Sequence, residues 1–294
     1  MSGMQTGEAL IQPVSEVPKS QFVRALNLAY ADYYVPISLT QNSFEKLVIR
    51  ESVKLDSSAV ALDRTQVIGM GLLGVRGERG WIGGVGVLPQ HRHQGIGRSM
   101  MGYLIDQAHQ LGLKTLQLEV ITANHVAYEL YASLGFKTTR KLLVLFRSAH
   151  GRLPSGHNRA AGITIKRIAP GAALEALDDL ITQRRPWQRE RTALEFWGDE
   201  LVAVGAWNPT GDLVGAALYR SEPGQIGIMD IAGHTPDVDS ALLHHLLNTS
   251  RGDHVSYVNV ADNDPLIPVL NRSDFTLTLD QYEMVLPLTS EASQ

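Results

Sequence analysis

The stretch Val87-Leu88-Pro89-Gln90-His91-Arg92-His93-Gln94-Gly95-Ile96-Gly97-Arg98 reads as the end of a buried strand that passes through a turn rich in glycine and basic residues into a helix. Such a turn aims consecutive backbone N–H groups at one point, and the helix dipole adds attraction for an anion. Gly95 and Gly97 leave the backbone bare to a phosphate, while Arg92 and Arg98 add charge-assisted donors. The turn therefore has the chemistry of a phosphate or pyrophosphate cradle, the plainer alternative being a tight strand-to-helix turn. Two familiar phosphate motifs do not fit. A P-loop needs Gly-Lys-Ser/Thr where its helix begins, and Gly97-Arg98-Ser99 stands at the wrong spacing; a dinucleotide fingerprint needs a third glycine where Val87 and Leu88 follow Gly84-Val85-Gly86.

Working outward, residues 58–62 and 67–75 read as paired strands about a turn at Asp63-Arg64, and residues 81–87 as the strand that feeds the cradle. Beyond it Met100, Met101, Leu104, Ile105, Ala108 and Leu111 recur at helical spacing as far as Gly112. A strand at 115–120, a helix at 124–134 stopped by Gly135 and a strand at 139–147 follow. Upstream, helices at 21–31 and 44–53 flank the aromatic loop Asp32-Tyr33-Tyr34-Val35-Pro36-Ile37.

The polar, Gly- and Pro-punctuated segment 148–162 separates two halves, which predicts domains at 1–149 and 162–294. The second half repeats the order of the first: strands at 163–168, 201–206, 213–219, 226–231 and 257–260, with helices at 172–182 and 240–247. Val269-Leu270-Asn271-Arg272-Ser273-Asp274-Phe275 parallels Leu130-Tyr131-Ala132-Ser133-Leu134-Gly135-Phe136 position for position. The copies part at the chemistry. Where the first has its glycine turn, the second has Ala232-Gly-His-Thr-Pro-Asp-Val-Asp239, with no glycine pair and two added carboxylates, and Leu270 stands where the first has Tyr131.

Composition narrows the class further. Hydrophobic residues at 44% and charged residues at 19% suit a globular protein, and a net charge of −4 gives no general field for nucleic acid or an anionic membrane. The absence of cysteine rules out disulfides, thiolate metal sites and a cysteine nucleophile. No run approaches the roughly 18 apolar residues of a membrane span and the first residues lack a secretion signal, so a cytoplasmic setting is expected. His91 and His93 alternate, but without a spaced acidic or thiolate partner they read as exposed turn residues or phosphate-edge donors, and no metal is expected.

Arg92-His93-Gln94-Gly95-Ile96-Gly97 resembles the signature through which the GCN5-related N-acetyltransferase superfamily binds acetyl-CoA, and Leu118-Glu119-Val120 with Asn124, Ala127, Leu130, Tyr131 and Leu134-Gly135-Phe136 resembles that family's next strand and helix. The resemblance is firm over residues 67–146 and extends as a degenerate copy over the second half. It implies an α/β fold with a mixed sheet, the acyl-CoA N-acyltransferase fold, in two tandem copies of which one binds cofactor. It further implies acetyl-CoA held by the main chain of Val85 and Val87, by Arg92, His93, Gln94, Gly95, Ile96, Gly97 and Arg98, and by Asn124 and Tyr131. Tyr131 takes the family's role of proton donor to the departing sulfur, the alternative being a packing tyrosine. Glu119 alternates against Leu118 and Val120 on an interior-type strand, so it is a candidate base or acceptor ligand, or else a structural carboxylate; Asp32 is its rival. Tyr33, Tyr34 and Trp81 are candidates for the acceptor wall. The Arg-rich run 184–191 reads as an interface, an acceptor lid or a solvated turn. The expected activity is acetylation of a small primary amine, with a possible homodimer through the fold's edge strands. The alternatives are a non-catalytic acyl-CoA-binding protein and an acetyltransferase acting on protein or peptide.

Overall fold

A glycine-rich ladder and two helix stops organise the first half of the chain. The computed structural model describes residues 9–35, 37–149, 162–249 and 252–288. Much of the expected linker, 150–161, lies outside the described residues, as does Pro36 of the aromatic loop. Two compact units emerge, one comprising Met1–Thr139 with Glu283–Gln294 and the other Arg140–Tyr282. The division thus falls at 139/140 and 282/283, whereas the sequence reading placed it in the linker.

The first unit contains β1 (Leu10–Pro13), α1 (Lys19–Ala29), α2 (Gln41–Arg50), β2 (Ala59–Asp63), β3 (Gln66–Arg76), β4 (Arg79–Val87), α3 (Ile96–Gln110), β5 (Thr115–Ile121), α4 (His125–Ser133) and the start of β6 (Lys137–Arg147). Its strands run in the order β1-β2-β3-β4-β5, antiparallel except for β4 and β5, which are parallel. α3 buries Met100, Met101, Leu104 and Ala108 at the helical period against one face, where Leu104 reaches the Cα of Gly71. α1 covers the other face with Phe22, Val23, Ala25, Leu26 and Ala29. By area each fully buried Leu or Met among these stabilises by about 1.5–3 kcal/mol.

Helix ends set the positions that matter later. α4 stops because Gly135 adopts φ +94, which lets Phe136 N–H reach the Tyr131 carbonyl and Gly135 N–H the Ala132 carbonyl. This Schellman turn fixes Tyr131 in the last turn of the helix.

The second unit holds most of β6 together with β7 (Thr164–Arg167), α5 (Pro170–Leu180), α6 (Arg191–Glu195), β8 (Leu201–Trp207), β9 (Leu213–Glu222), β10 (Gln225–Gly233), α7 (Pro236–Thr249), β11 (His254–Ala261), α8 (Ile267–Arg272) and the first part of β12 (Thr276–Pro287). Its order is β6-β11-β10-β9-β8-β7, with β10 and β11 the parallel pair. The parallel with the first copy extends to the helix stop. Asp274 takes φ +61 at the place of Gly135, and Phe275 N–H bonds the Leu270 carbonyl as Phe136 bonds that of Tyr131. The sequence reading missed β12, whose end from Glu283 belongs to the first unit. Its alternation of Leu277 and Leu279 with Thr276, Thr278 and Asp280 was legible, but no turn signal marked it off.

Candidate active site

The β4–β5 ladder pairs Arg79 to Ile82 with Thr115 to Leu118 and ends there, although both strands continue. A register shift against β3 between Met70 and Leu72 accompanies the parting. The strands thus form a fork, and from its open end a groove of about 700 Å³ extends to the start of α3. Val85, Gly86 and Val87 of β4 make one bank, Asn124, Ala127, Leu130 and Tyr131 the other, and Arg92, His93, Gly95, Ile96, Gly97 and Arg98 the far end.

Gly95 caps α3 at φ +79, and a Cβ there would meet nothing within 4 Å, so the space over the first N–H groups of the helix is open. Arg98 donates to the Ser133 hydroxyl at 2.8 Å and has no carboxylate partner among the described residues. Asn124 caps α4 by accepting from Ala127 N–H at 3.2 Å, while its amide donates to the Tyr33 hydroxyl at 3.3 Å. Every cofactor candidate except Gln94 lines the groove together with Tyr131.

Tyr131 is 8% exposed, and its hydroxyl meets no donor or acceptor among the described residues. Burial first, then the neighbouring Tyr33, pushes this phenol well above the ordinary tyrosine range, so it stays protonated. Tyr30, read from the sequence only as the end of a helix, is the residue that reading missed. It lies over Gly86 and donates to the Val85 carbonyl at 3.0 Å, and burial holds its phenol protonated as well. Following the apolar stripe of α1, it carried no signal to set it apart from core.

Glu119 is the first β5 residue past the ladder, but it does not line the groove. Its Oε2 accepts from the Trp81 indole at 2.7 Å. Trp81 likewise does not line the groove, and its ring lies on Gly83, where a Cβ would be 2.0 Å away. Gly83 and Gly86 are therefore packing glycines under Trp81 and Tyr30. Tyr33 and Tyr34 do line the groove. Asp32, the rival base, is paired with Arg92.

The second unit has the same fork. The β10–β11 ladder pairs Gln225 to Ile228 with His254 to Tyr257 and stops, with a register shift against β9 between Ile228 and Asp230. Here the fork is filled by Arg189, whose guanidinium donates to the Met229 carbonyl at 3.2 Å and the Asn259 carbonyl at 3.1 Å, one from each strand. It also bonds Asp230 and the Tyr257 hydroxyl and stacks 4.4 Å over the Tyr257 ring. The middle of the run 184–191 is thus folded inward, with Trp187 at 0% and Arg189 at 7% exposure, so these two residues are not part of a solvated turn, while Arg184 and Arg191 at its ends are exposed. Among the described residues no group of three or more His, Asp or Glu is placed to hold a metal, and no helix is long and apolar enough to cross a membrane.

An open helix start thus lies at the mouth of a splayed parallel strand pair, with a buried phenol on the opposite bank. Residues 23–136 match the family model described as Acetyltransferase (GNAT) family. Over 52 residues the chain is 44% identical to ribosomal protein bS18-alanine N-acetyltransferase of Escherichia coli (strain K12), a match covering 18% of this chain and 35% of that protein. The fold is similar to that of a GCN5-related N-acetyltransferase from Sphaerobacter thermophilus, with a TM-score of 0.72, 13% identity and 99% of each chain covered. It is also similar to a tandem GNAT protein from the clavulanic acid biosynthesis pathway, with a TM-score of 0.69, 16% identity, 97% of this chain and 100% of that chain covered. The chain thus has the mixed-sheet acyltransferase fold in tandem copies.

Proposed function

We propose that the first unit transfers an acetyl group from acetyl-CoA to the primary amine of a small acceptor. The observation that carries this reading is the continuity of one groove from the β4 edge at Val85 and Val87, beyond the end of the β4–β5 ladder, to the open helix start at Gly95. The residues present fit the group: main-chain donors around residues 93–98 with the Arg98 side chain suit a diphosphate, and the free edge of β4 suits an amide-bearing arm. Acetyl-CoA, once bound, would supply an activated thioester carbonyl for attack by a neutral amine, with the coenzyme A thiol as leaving group.

The chain's own residues would do the rest. A β4 amide such as Val87 N–H can meet the negative charge that develops on the carbonyl oxygen. Tyr131, kept protonated by burial, donates to the departing sulfur. Glu119, oriented by Trp81 and set back from the groove, takes the amine proton through water. The local match to the bS18-alanine enzyme covers too little of either protein to carry its acceptor over, so a peptide with an N-terminal alanine is tested alongside small amines.

The experiment is a thiol-release screen with acetyl-CoA against amines, amino acids, polyamines, aminoglycosides and that peptide. With the acceptor found, Tyr131→Phe should lower kcat by about 100-fold while calorimetry shows coenzyme A affinity unchanged. Glu119→Gln should lower kcat/KM most at low pH, where fewer amines arrive neutral. Failure of the purified protein to bind coenzyme A would remove the proposal.

A further inference from the structure

Arg92 opens the glycine signature, yet its guanidinium already makes four hydrogen bonds within the protein. Nε donates to the Val87 carbonyl at 3.1 Å and Nη2 to the Ala29 carbonyl at 3.1 Å, while Nη1 and Nη2 grip the two oxygens of Asp32 at 2.8 and 2.7 Å. The planar fork is satisfied bidentately on one side and by main chain on the other. Turning it toward a diphosphate would strip two carbonyls and a carboxylate of their donor. The Arg92 guanidinium beside Asp32 also holds that carboxyl below its ordinary range, so Asp32 is a poor proton acceptor as well as an engaged one.

What Asp32 begins is a strap. The next two residues cross from the β4 bank to the other bank of the groove, where the Tyr33 hydroxyl accepts from Asn124 at 3.3 Å and the Tyr34 hydroxyl donates to the Ala123 carbonyl at 2.9 Å. Tyr30, Tyr33 and Tyr34 meet edge to face in succession, with ring centroids 5.0 and 5.3 Å apart. Tyr34 is 55% exposed, so little apolar burial holds this end and its polar ties must. Both Tyr30 and Tyr33 lie close enough to Tyr131 to act on its phenol or feel it electrostatically.

We infer that Arg92 is a positioning residue: through Asp32 it anchors the aromatic strap 30–35 across both banks of the groove, on the side from which an acceptor reaches Tyr131, and it leaves the diphosphate to the main chain of residues 93–98 and to Arg98. This rests on the acyltransferase reading for its second clause only, because the anchoring can be read without any cofactor.

The test uses the full chain and coenzyme A as probe, with amide hydrogen exchange over residues 30–35 as the independent readout. In Asp32→Asn and Arg92→Lys the strap amides should exchange at least tenfold faster than in the unmodified protein, with Asp32→Glu restoring most of the protection. Arg98→Gln should leave exchange unchanged. By calorimetry Arg98→Gln should weaken coenzyme A at least tenfold, while Asp32→Asn stays within threefold. Unchanged strap exchange in Asp32→Asn would overturn the anchoring, and an Asp32→Asn affinity change as large as that of Arg98→Gln would overturn the division of labour. If coenzyme A does not bind the unmodified protein, the acyltransferase proposal fails while the exchange arm still decides whether Arg92 anchors the strap.

Discussion

The fork between β4 and β5 and the fork between β10 and β11 start alike, each after four parallel pairs and each beside a register shift. They differ in how the chain continues from each. In the first, residues 88–95 make a loop that leaves open space over the start of α3, and the strand edges face a groove. In the second, only residues 234 and 235 connect β10 to α7, Val238 packs onto Gly233, and a buried arginine joins the two strand edges. A splayed sheet leaves unsatisfied main-chain groups, which must bond to something. The first copy bonds the Val85 and Val87 carbonyls to Tyr30 and Arg92 and keeps a groove beside them, whereas the second joins both strand edges through one buried arginine.

Arg189 offers the largest expected effect. Asp230 is fully buried, and Arg189→Ala would leave it with Arg185, the Tyr257 hydroxyl and the Ile231 N–H. The expected loss is about 3–5 kcal/mol, read by urea unfolding, and replacing both partners in Arg189→Met/Asp230→Leu should recover most of it. Calorimetry on the unmodified protein should find one coenzyme A per chain. A single variant as stable as the parent, or two cofactors per chain, would erase the contrast between the forks.

A glycine in each copy sharpens the same comparison. Gly95→Val forces a β-branched residue to φ +79 without any steric clash, so it should strain the helix start and weaken coenzyme A by about 30-fold, roughly 2 kcal/mol. Gly233→Ala meets Val238 at 2.6 Å, so it should cost about 1–3 kcal/mol of stability and leave coenzyme A affinity unchanged. Equal effects of the two on affinity would mean that both helix starts serve the ligand.

How far the sequence could be read depends on how local each feature is. The glycine turn, the α4 stop at Gly135 and its echo at Asp274 depend on a few consecutive residues, and their chemistry was visible there. The ties that decide what the sites contain are not local. Arg92 finds Asp32 60 positions away, and Arg189 finds Asp230 41 positions away, so each arginine read alone passes for a phosphate ligand or a solvated charge. Glu119 was legible as an interior carboxylate, but its Trp81 partner 38 positions earlier was not. The strand β12 shows the same limit at the level of the fold, since its end belongs to the first unit, far back in the chain.

The smallest effect concerns Asp239, in the first turn of α7, where the first copy has its open cradle. It is 5% exposed, and burial pushes its carboxyl up to about 6, although the Gly233 N–H bond works the other way. An unfolded aspartate titrates near 3.9, so between about pH 4 and 6 the folded chain keeps a proton that the unfolded chain has lost. The contribution of this group to stability is therefore most favourable below about pH 4, declines as pH rises toward 6, and stays unfavourable at pH 7 by on the order of 1–2 kcal/mol. Asp239→Asn should raise stability at pH 7 and flatten the pH dependence in that window, measured by denaturant unfolding at pH 4 to 8. Lower stability of Asp239→Asn at pH 7 would instead mean that the ionised carboxylate is a net favourable occupant of the helix start, the anion that the second copy supplies for itself.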